Sequence, residues 1–97
     1  MANNSSPNYI RITGAGTYAV HNGSGALLKY ITVSASGSVN AKVVVYDNTA
    51  GSGTVICSID ASTQTGTYFY DAVVRKGITV VVTGASTDIN IVWTAST

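Results

Sequence analysis

Few side chains in this sequence could carry out acid–base or nucleophilic chemistry. The chain of 97 residues holds one His, one Cys, four Asp and no Glu. His21 could act as a general base for one of the many Ser and Thr hydroxyls, but the Gly-x-Ser-x-Gly pattern of a strained nucleophile turn does not occur. Because His21 directly precedes Asn22-Gly23, a typical hairpin turn, we predict a His at a strand end with no catalytic role.

Cys57 has no second Cys with which to form a disulfide, and it lies in an apolar row. Val55, Cys57 and Ile59 alternate with polar residues, as on one face of a strand. A thiol buried in such a row behaves as a small hydrophobic side chain with a raised pKa, and not as a nucleophile. The sequence therefore predicts that the chain is not an enzyme.

Metal ligands are also sparse. A zinc site requires several close ligands, mostly His and Cys, and the chain contains one of each. Calcium could be held by Asp47 and Asn48 with Asp60 or Asp88, but the Asp-x-Asp-x-Asp spacing of a calcium loop is missing. Asp and Asn are ordinary turn residues. We predict no metal site and no cofactor.

The charge of the chain is low. Charged residues make up 9% of the sequence and the net charge is +1, which predicts no binding to nucleic acid, since that requires a clustered basic surface. No stretch approaches the ~18 apolar residues of a membrane span, and no secretory signal is present, so we expect synthesis in a cytosol and no membrane association. A chain of this length should form one domain with a thin core, which oligomerisation would stabilise.

Val, Ile, Thr and Tyr fall into short runs separated by Gly, Asn, Ser and Asp, and the good helix formers are nearly absent. This pattern predicts one all-β domain over residues 9–97, preceded by a flexible polar arm over residues 1–8. Eight antiparallel strands with several long connections favour a two-sheet Greek-key sandwich or jelly roll, with an eight-stranded barrel as the alternative. The predicted strands cover approximately 9–13, 16–21, 26–34, 40–47, 54–60, 66–74, 77–83 and 88–94.

Alternation of apolar and polar residues predicts which side chains fill the core. Trp93 is the largest of them, and we predict a core anchor near the C-terminus, with ligand stacking as the alternative. The predicted inward residues are Leu27, Ile31, Val33, Val55, Cys57, Ile59, Ile78, Val80, Val82, Ile89, Ile91 and Trp93.

Several strands are apolar on both faces. A small monomer with few charges has difficulty hiding both faces of a strand, so this pattern predicts a surface that contacts a partner. The alternative is that these strands are central and covered by loops. The predicted interface residues are Val44, Tyr46, Val81 and Val92, together with Asn3, Asn4 and Pro7 from the polar arm.

The six Tyr residues form a further candidate surface. Tyr68 and Tyr70 share one predicted strand face, with Phe69 on the other, and an exposed ladder of such rings could stack on sugars. In the sequence, the acidic and amide groups that would hold sugar hydroxyls are not concentrated beside these rings. Glycan recognition is therefore an alternative hypothesis.

The segment from Tyr46 to Trp93 contains a series of turn-and-strand patterns, namely YDNTAGSGTVI, QTGT, YD, GITV and DINIVW. It resembles small β-sandwich virion proteins of tailed bacteriophages, of the head decoration or cement type. The resemblance covers about half of the chain. It implies a protein on the outside of the capsid, commonly a trimer at points where shell subunits meet, with no catalytic residues.

On this resemblance we expect a non-enzymatic structural protein that decorates and stabilises a bacteriophage capsid by binding across neighbouring shell subunits. Its expected partners are copies of itself, with a trimer favoured, and the major capsid protein. Its expected location is the exterior of the virion, after synthesis in the host cytoplasm. A tail- or fibre-associated protein and a glycan-recognition module are the alternatives.

Overall fold

The chain folds as two four-stranded antiparallel sheets in a computed structural model that describes residues 7–35, 41–62, 65–84 and 87–95. The strands are β1 (Pro7–Ile12), β2 (Gly16–Asn22), β3 (Ala26–Ala35), β4 (Lys42–Asp47), β5 (Thr54–Asp60), β6 (Gly66–Val74), β7 (Gly77–Thr83) and β8 (Asp88–Ala95). Within these ranges no helix is long and apolar enough to cross a membrane.

The strand order is that of a jelly roll. One sheet, called the front sheet below, has the order β1-β8-β3-β6, and the other, called the back sheet, has the order β2-β7-β4-β5. Most strands that are consecutive in sequence lie in opposite sheets, as expected when two Greek keys close into a double-sheet sandwich. The predicted all-β class and the predicted eight strands are confirmed. The first and last residue of each strand lie within two residues of the predicted positions.

The N-terminal boundary of the folded part differs from the prediction. β1 begins at Pro7, which opposes Thr94 of β8, and Asn8 opposes Trp93. The last two residues of the predicted arm are therefore part of the front sheet. Proline suits this place because β1 is an edge strand, where a missing N–H need not break the ladder. Asn3 and Asn4 lie outside the described residues.

The core lies between the inward faces of the two sheets. Burying one Val or Ile side chain contributes about 1.5–3 kcal/mol, and β-branched residues fit the pleated inner surface well. Trp93 is partly buried and packs against this core, as predicted for a core anchor. Of the predicted inward residues, those fully or almost fully buried are Ile31, Val33, Ile59, Ile78, Val80, Val82, Ile89 and Ile91.

The prediction for Val55 is wrong because β5 contains a β-bulge. Val45 opposes Cys57, and the next residue of β4, Tyr46, opposes Val55, so Ile56 is an extra residue in β5. An extra residue reverses the alternation beyond it. Val55 consequently lies on the outer face, 50% exposed, whereas Ile56 and Cys57 both pack against the core.

A second bulge, in β3, makes the prediction for Leu27 wrong. Leu28 and Tyr30 oppose consecutive residues of β8, so Lys29 is an extra residue in β3. Leu28 is fully buried and takes the place predicted for Leu27, which is only half-buried. Tyr30 and Leu27 thus share the outer face of the front sheet, although alternation alone would put them on opposite faces.

The loop between β4 and β5 folds over the outer face of the back sheet. The Thr79 hydroxyl of β7 donates to the backbone carbonyl of Asn48 at 2.8 Å, and Thr79 is buried although it points outward. A Cβ atom at Gly51 would lie 2.8 Å from Val81 Cγ2, so only a glycine lets the loop approach this closely. The loop therefore covers part of the outer face of β7, a central strand, as the alternative to a partner-contacting surface had stated.

Candidate functional site

The structure places His21 at the end of β2, as predicted, opposite Ile78 of β7. Its Nε2 atom is buried and has no hydrogen-bond partner among the described residues. A general base must lie within hydrogen-bonding distance of the proton that it removes, directly or through one water. The described part of the chain offers no such nucleophile at Nε2.

Cys57 is half-buried at the edge of the sandwich, where β5 of the back sheet meets β6 of the front sheet. Burial raises the pKa of the Cys57 thiol to about 11, and a side-chain hydrogen bond with Tyr70 of β6 acts in the opposite direction. A thiol with this pKa is almost entirely protonated at neutral pH and is a poor nucleophile. The contact joins the two edge strands β5 and β6.

Each of the four carboxylates is engaged in a local structural contact. Asp47 accepts hydrogen bonds from the β6–β7 turn, and Asp60 accepts from the backbone N–H and hydroxyl of Ser62. Asp71 pairs with Lys29 at 3.0 Å, and Asp88 forms a bidentate ion pair with Arg11 at 2.7 and 2.9 Å. Within the described ranges, no three His, Cys, Asp or Glu side chains group closely enough to hold a metal ion.

The predicted interface residues divide between two opposite surfaces. Val44 and Val81 oppose each other on the outer face of the back sheet, and Tyr46 lies on the same face opposite Val55. Val92 instead lies on the outer face of the front sheet. Val44, Tyr46, Val81 and Val92 are all half-buried. They do not form one continuous surface.

A row of apolar side chains crosses the outer face of the front sheet from one edge to the other. Tyr9 of β1 opposes Val92 of β8, Val92 opposes Tyr30 of β3, and Tyr30 opposes Phe69 of β6. This set is called the apolar row below. Tyr9 is 76% exposed and Phe69 is 73% exposed, so water contacts most of both rings. Large exposed apolar groups in a row are typical of binding surfaces.

The apolar row contains a groove. Its volume is about 370 Å³, and it lies over Val92 between the side chains of Tyr9 and Tyr30. Asn8, Thr32 and Asn90 complete its lining. The groove therefore combines two aromatic rings with two amides and one hydroxyl, and its lining contains no charged residue.

The Tyr platform predicted from the sequence is not at this place. Tyr68 opposes the buried Ile31, and both Tyr68 and Tyr70 are half-buried and pack against the core. Burial also raises the pKa of the Tyr70 hydroxyl. The most exposed described rings on the outer face of the front sheet are those of Tyr9 and Phe69, and Tyr30 between them is half-buried. Asn90 lines the same groove as Tyr9, which the sequence did not reveal because these two residues come from opposite ends of the chain.

Among the described residues, three of the four exposed large hydrophobic side chains lie on the edge strands β5 and β6, and the fourth, Tyr9, lies on the edge strand β1. Val55 is 50% exposed on β5, and Phe69 and Val73 are 73% and 70% exposed on β6. Both strands end their sheets, so each also presents a row of unpaired backbone groups on its free side. Val55 points to the outer face of the back sheet, and Phe69 and Val73 point to the outer face of the front sheet. The set of these three residues on β5 and β6 is called the apolar edge below.

Comparison with known proteins identifies the fold and nothing finer. No protein-family model matches the chain, and no curated protein matches it. Among solved structures, the chain is similar to the Drosophila NLP-core, a protein whose crystal structure was described for its pentamer formation and histone binding. The similarity has a TM-score of 0.57 and 18% sequence identity, and it covers 91% of this chain and 95% of the other. At this identity the two chains share a fold.

Proposed function

We propose that this chain is a non-enzymatic structural protein that decorates and stabilises a bacteriophage capsid by binding across neighbouring shell subunits. The observation that carries the proposal is the apolar edge, because an isolated copy leaves Phe69 and Val73 largely in water. The resemblance of the Tyr46–Trp93 segment to phage decoration proteins supports the capsid as the setting. The protonated thiol of Cys57 and the engaged carboxylates support a role without catalysis.

The apolar edge suits contact between copies of the chain. Exposed edge strands readily pair or pack with other strands unless charges or prolines protect them. β6 contains one charged residue, Asp71, and β5 contains one, Asp60. The charge of Asp71 is paired with Lys29. The Drosophila NLP-core, which shares the fold, forms a pentamer. For this chain we propose a homo-oligomer, and the resemblance to decoration proteins favours a trimer.

Oligomer formation would also explain how a weakly charged protein of this size binds a shell firmly. A standard interface buries about 800 Å² on each partner, and linking several such contacts in one assembly multiplies the effective affinity. A trimer that spans a junction between shell subunits could then hold several subunits at once.

The solution mass of the purified chain tests the assembly. We expect light scattering after size-exclusion chromatography to give the mass of a trimer for the wild type. The double variant Phe69→Ser/Val73→Ser should give a monomer with an unchanged circular dichroism spectrum, because both side chains are largely exposed. Tyr9→Ser is the matched control, since Tyr9 is equally exposed but lies at the opposite edge of the front sheet, and it should keep the trimer mass.

A monomeric wild type at micromolar concentration, or a double variant that keeps the full mass, would rule out assembly through the apolar edge. The capsid part of the proposal has its own test. The chain should be recovered in stoichiometric amounts from purified phage heads, and heads that lack it should lose their DNA at a lower temperature. Recovery from the tail fraction alone would favour the tail- or fibre-associated alternative and contradict the proposal.

A further inference from the structure

We infer that the groove between Tyr9 and Tyr30 is a binding site for a neutral sugar ring. This inference does not depend on the proposed role on a capsid. It differs from the glycan platform predicted at Tyr68 and Tyr70, because those two rings pack against the core. It rests on the geometry, polarity and charge of the groove.

The spacing of the strands sets the width of the groove. Tyr9 and Tyr30 stand on β1 and β3, and β8 lies between them. Two strand spacings separate the two Tyr residues by about 9.6 Å, so the two side chains can flank a single ring-shaped group that rests on the small side chain of Val92. The phenol ring of Tyr30 is held in place by Phe69, with ring centroids 5.3 Å apart at an interplanar angle of 52°. One wall of the groove is therefore pre-organised.

Polar groups border one side of this apolar slot. The next row of outward residues along the sheet contains Asn90 of β8 and Thr32 of β3, which oppose each other. The Thr32 hydroxyl is hydrogen-bonded to the Thr67 hydroxyl at 3.1 Å, which fixes its position. Asn8, which lies on the other side of the Tyr9–Val92 pair, adds a second amide to the lining. A ligand that fits must have an apolar face for the rings and polar groups along its edge, which describes a pyranose sugar.

The charges around the groove favour a neutral ligand. The lining residues are all uncharged. Arg11 is the nearest cation along β1, on the row that contains Asn90, and its guanidinium is tied to Asp88 through two hydrogen bonds. The paired carboxylate carries the opposite charge, so it offsets the attraction that Arg11 would otherwise exert on an anion. A sialylated or phosphorylated sugar would therefore gain little over a neutral one.

NMR titration with methyl glycosides of glucose, galactose and mannose tests the site. We expect at least one of the three to shift the ring resonances of Tyr9 and Tyr30, with a Kd of about 1 mM, as is ordinary for a single small contact. Tyr9→Ala should weaken that binding by about tenfold or more. Tyr9→Phe should bind almost as well as the wild type, because it keeps the ring and loses only the hydroxyl. Asn90→Ala should weaken binding while leaving the ring shifts in the same direction.

Val73→Ser serves as a second control, because Val73 is exposed on the same face of the front sheet but lies outside the groove lining. It should keep binding within a few-fold of the wild type. A proline-rich peptide, whose apolar rings could also enter an aromatic groove, is titrated in parallel. Absence of any ring shift with all three glycosides would overturn the inference. The inference would also be overturned if Tyr9→Ala bound the glycosides as tightly as the wild type does. The same holds if the peptide shifted the Tyr9 and Tyr30 ring resonances and the glycosides did not. None of these results depends on the oligomeric state.

Discussion

At the scale of single residues, the carboxylate of Asp47 accepts several hydrogen bonds from one distant turn. Its carboxylate accepts hydrogen bonds from the backbone N–H groups of Arg75, Lys76 and Gly77 at 3.0, 2.8 and 3.4 Å. Desolvation raises the pKa of Asp47, but the three N–H donors, with the charge of Arg75, outweigh it and the pKa is lowered overall. Asp47 thereby ties the end of β4 to the turn between β6 and β7.

This contact predicts a pH-dependent stability. Because the pKa of Asp47 is lower in the folded chain, its contribution to the free energy of unfolding is complete above the ordinary value of 3.8 and disappears as the pH falls through the folded value. Asp47→Asn should lower the free energy of unfolding at neutral pH by about 1–2 kcal/mol, since hydrogen bonds to a charged acceptor are lost. Urea denaturation at a series of pH values measures both effects.

The same measurement separates Asp47 from the other carboxylates. The pKa values of Asp60 and Asp88 are also lowered, the first mainly by the Ser62 hydroxyl and the second mainly by Arg11. The free energy of unfolding of the Asp47→Asn variant should therefore still fall as the pH is lowered, because Asp60 and Asp88 remain. It should fall less steeply than that of the wild type. Equal slopes for variant and wild type below about pH 4 would show that Asp47 makes no such contribution.

At the scale of secondary-structure elements, the bulges decide what the front sheet displays. Lys29 is the extra residue of β3 against β8, and Asp71 lies in the matching irregular part of β6 with a φ of 50°. The ion pair between these two side chains lies at the irregular part of both strands. The bulge in β3 brings Tyr30 to the outer face beside Val92, and so it creates one wall of the groove.

The left-handed backbone conformation of Asp71 leads to a prediction about the stability of two variants. A left-handed conformation costs a residue with a Cβ atom about 1–2 kcal/mol, whereas glycine adopts it freely but loses more chain entropy on folding. Asp71→Gly should therefore be more stable than Asp71→Ala by about 0.5–1 kcal/mol. Both variants lose the ion pair, so the difference reports the backbone alone. Thermal or urea denaturation measures it.

Lys29→Ala is the control for the ion pair itself. It removes the same ion pair by deleting the other partner and leaves the backbone of Asp71 unchanged, and its cost should be about 0–1 kcal/mol because the pair is exposed. If Asp71→Gly and Asp71→Ala prove equally stable, the conformation of Asp71 stores no strain in solution.

At the scale of the whole molecule, the low charge decides how copies interact. Only 9% of the residues are charged, and the described ion pairs, Arg11–Asp88 and Lys29–Asp71, lie on the surface of one copy. Association of such molecules depends mainly on burial of apolar surface, which salt does not weaken. The apolar edge provides that surface.

We therefore expect the oligomer to persist at high ionic strength. Sedimentation velocity in about 1 M sodium chloride should give the same mass as at low salt, because apolar burial is not screened and charge pairs are. Ammonium sulfate should favour the oligomer further, since it strengthens apolar burial. Dissociation as sodium chloride is added would show that charge pairs hold the copies together, contrary to the role proposed for Val55, Phe69 and Val73.

The sequence by itself determined the class of the fold and the positions of the strands. The runs of Val, Ile, Thr and Tyr and the Gly- and Asn-containing turns act over a few residues, so their pattern can be interpreted without knowledge of the rest of the chain. The same holds for the inward residues of unbroken strands, such as Ile78, Val80 and Val82 of β7, which are buried as predicted.

Only the tertiary structure decided which residues meet on the surface. Bulges arise from the register between strands, and those at Lys29 and Ile56 moved Leu27 and Val55 outward although their local pattern pointed inward. The loop that covers Val81 could not be located from the sequence either. Of the groove residues, Val92 had been predicted as an interface residue, and Tyr9 and Tyr30 belonged to the six Tyr residues considered as an alternative sugar-binding surface. Tyr9 and Tyr30 lie on either side of Val92 because β8 lies between β1 and β3 in the front sheet. Strand order depends on contacts between distant segments, which no local sequence pattern indicates.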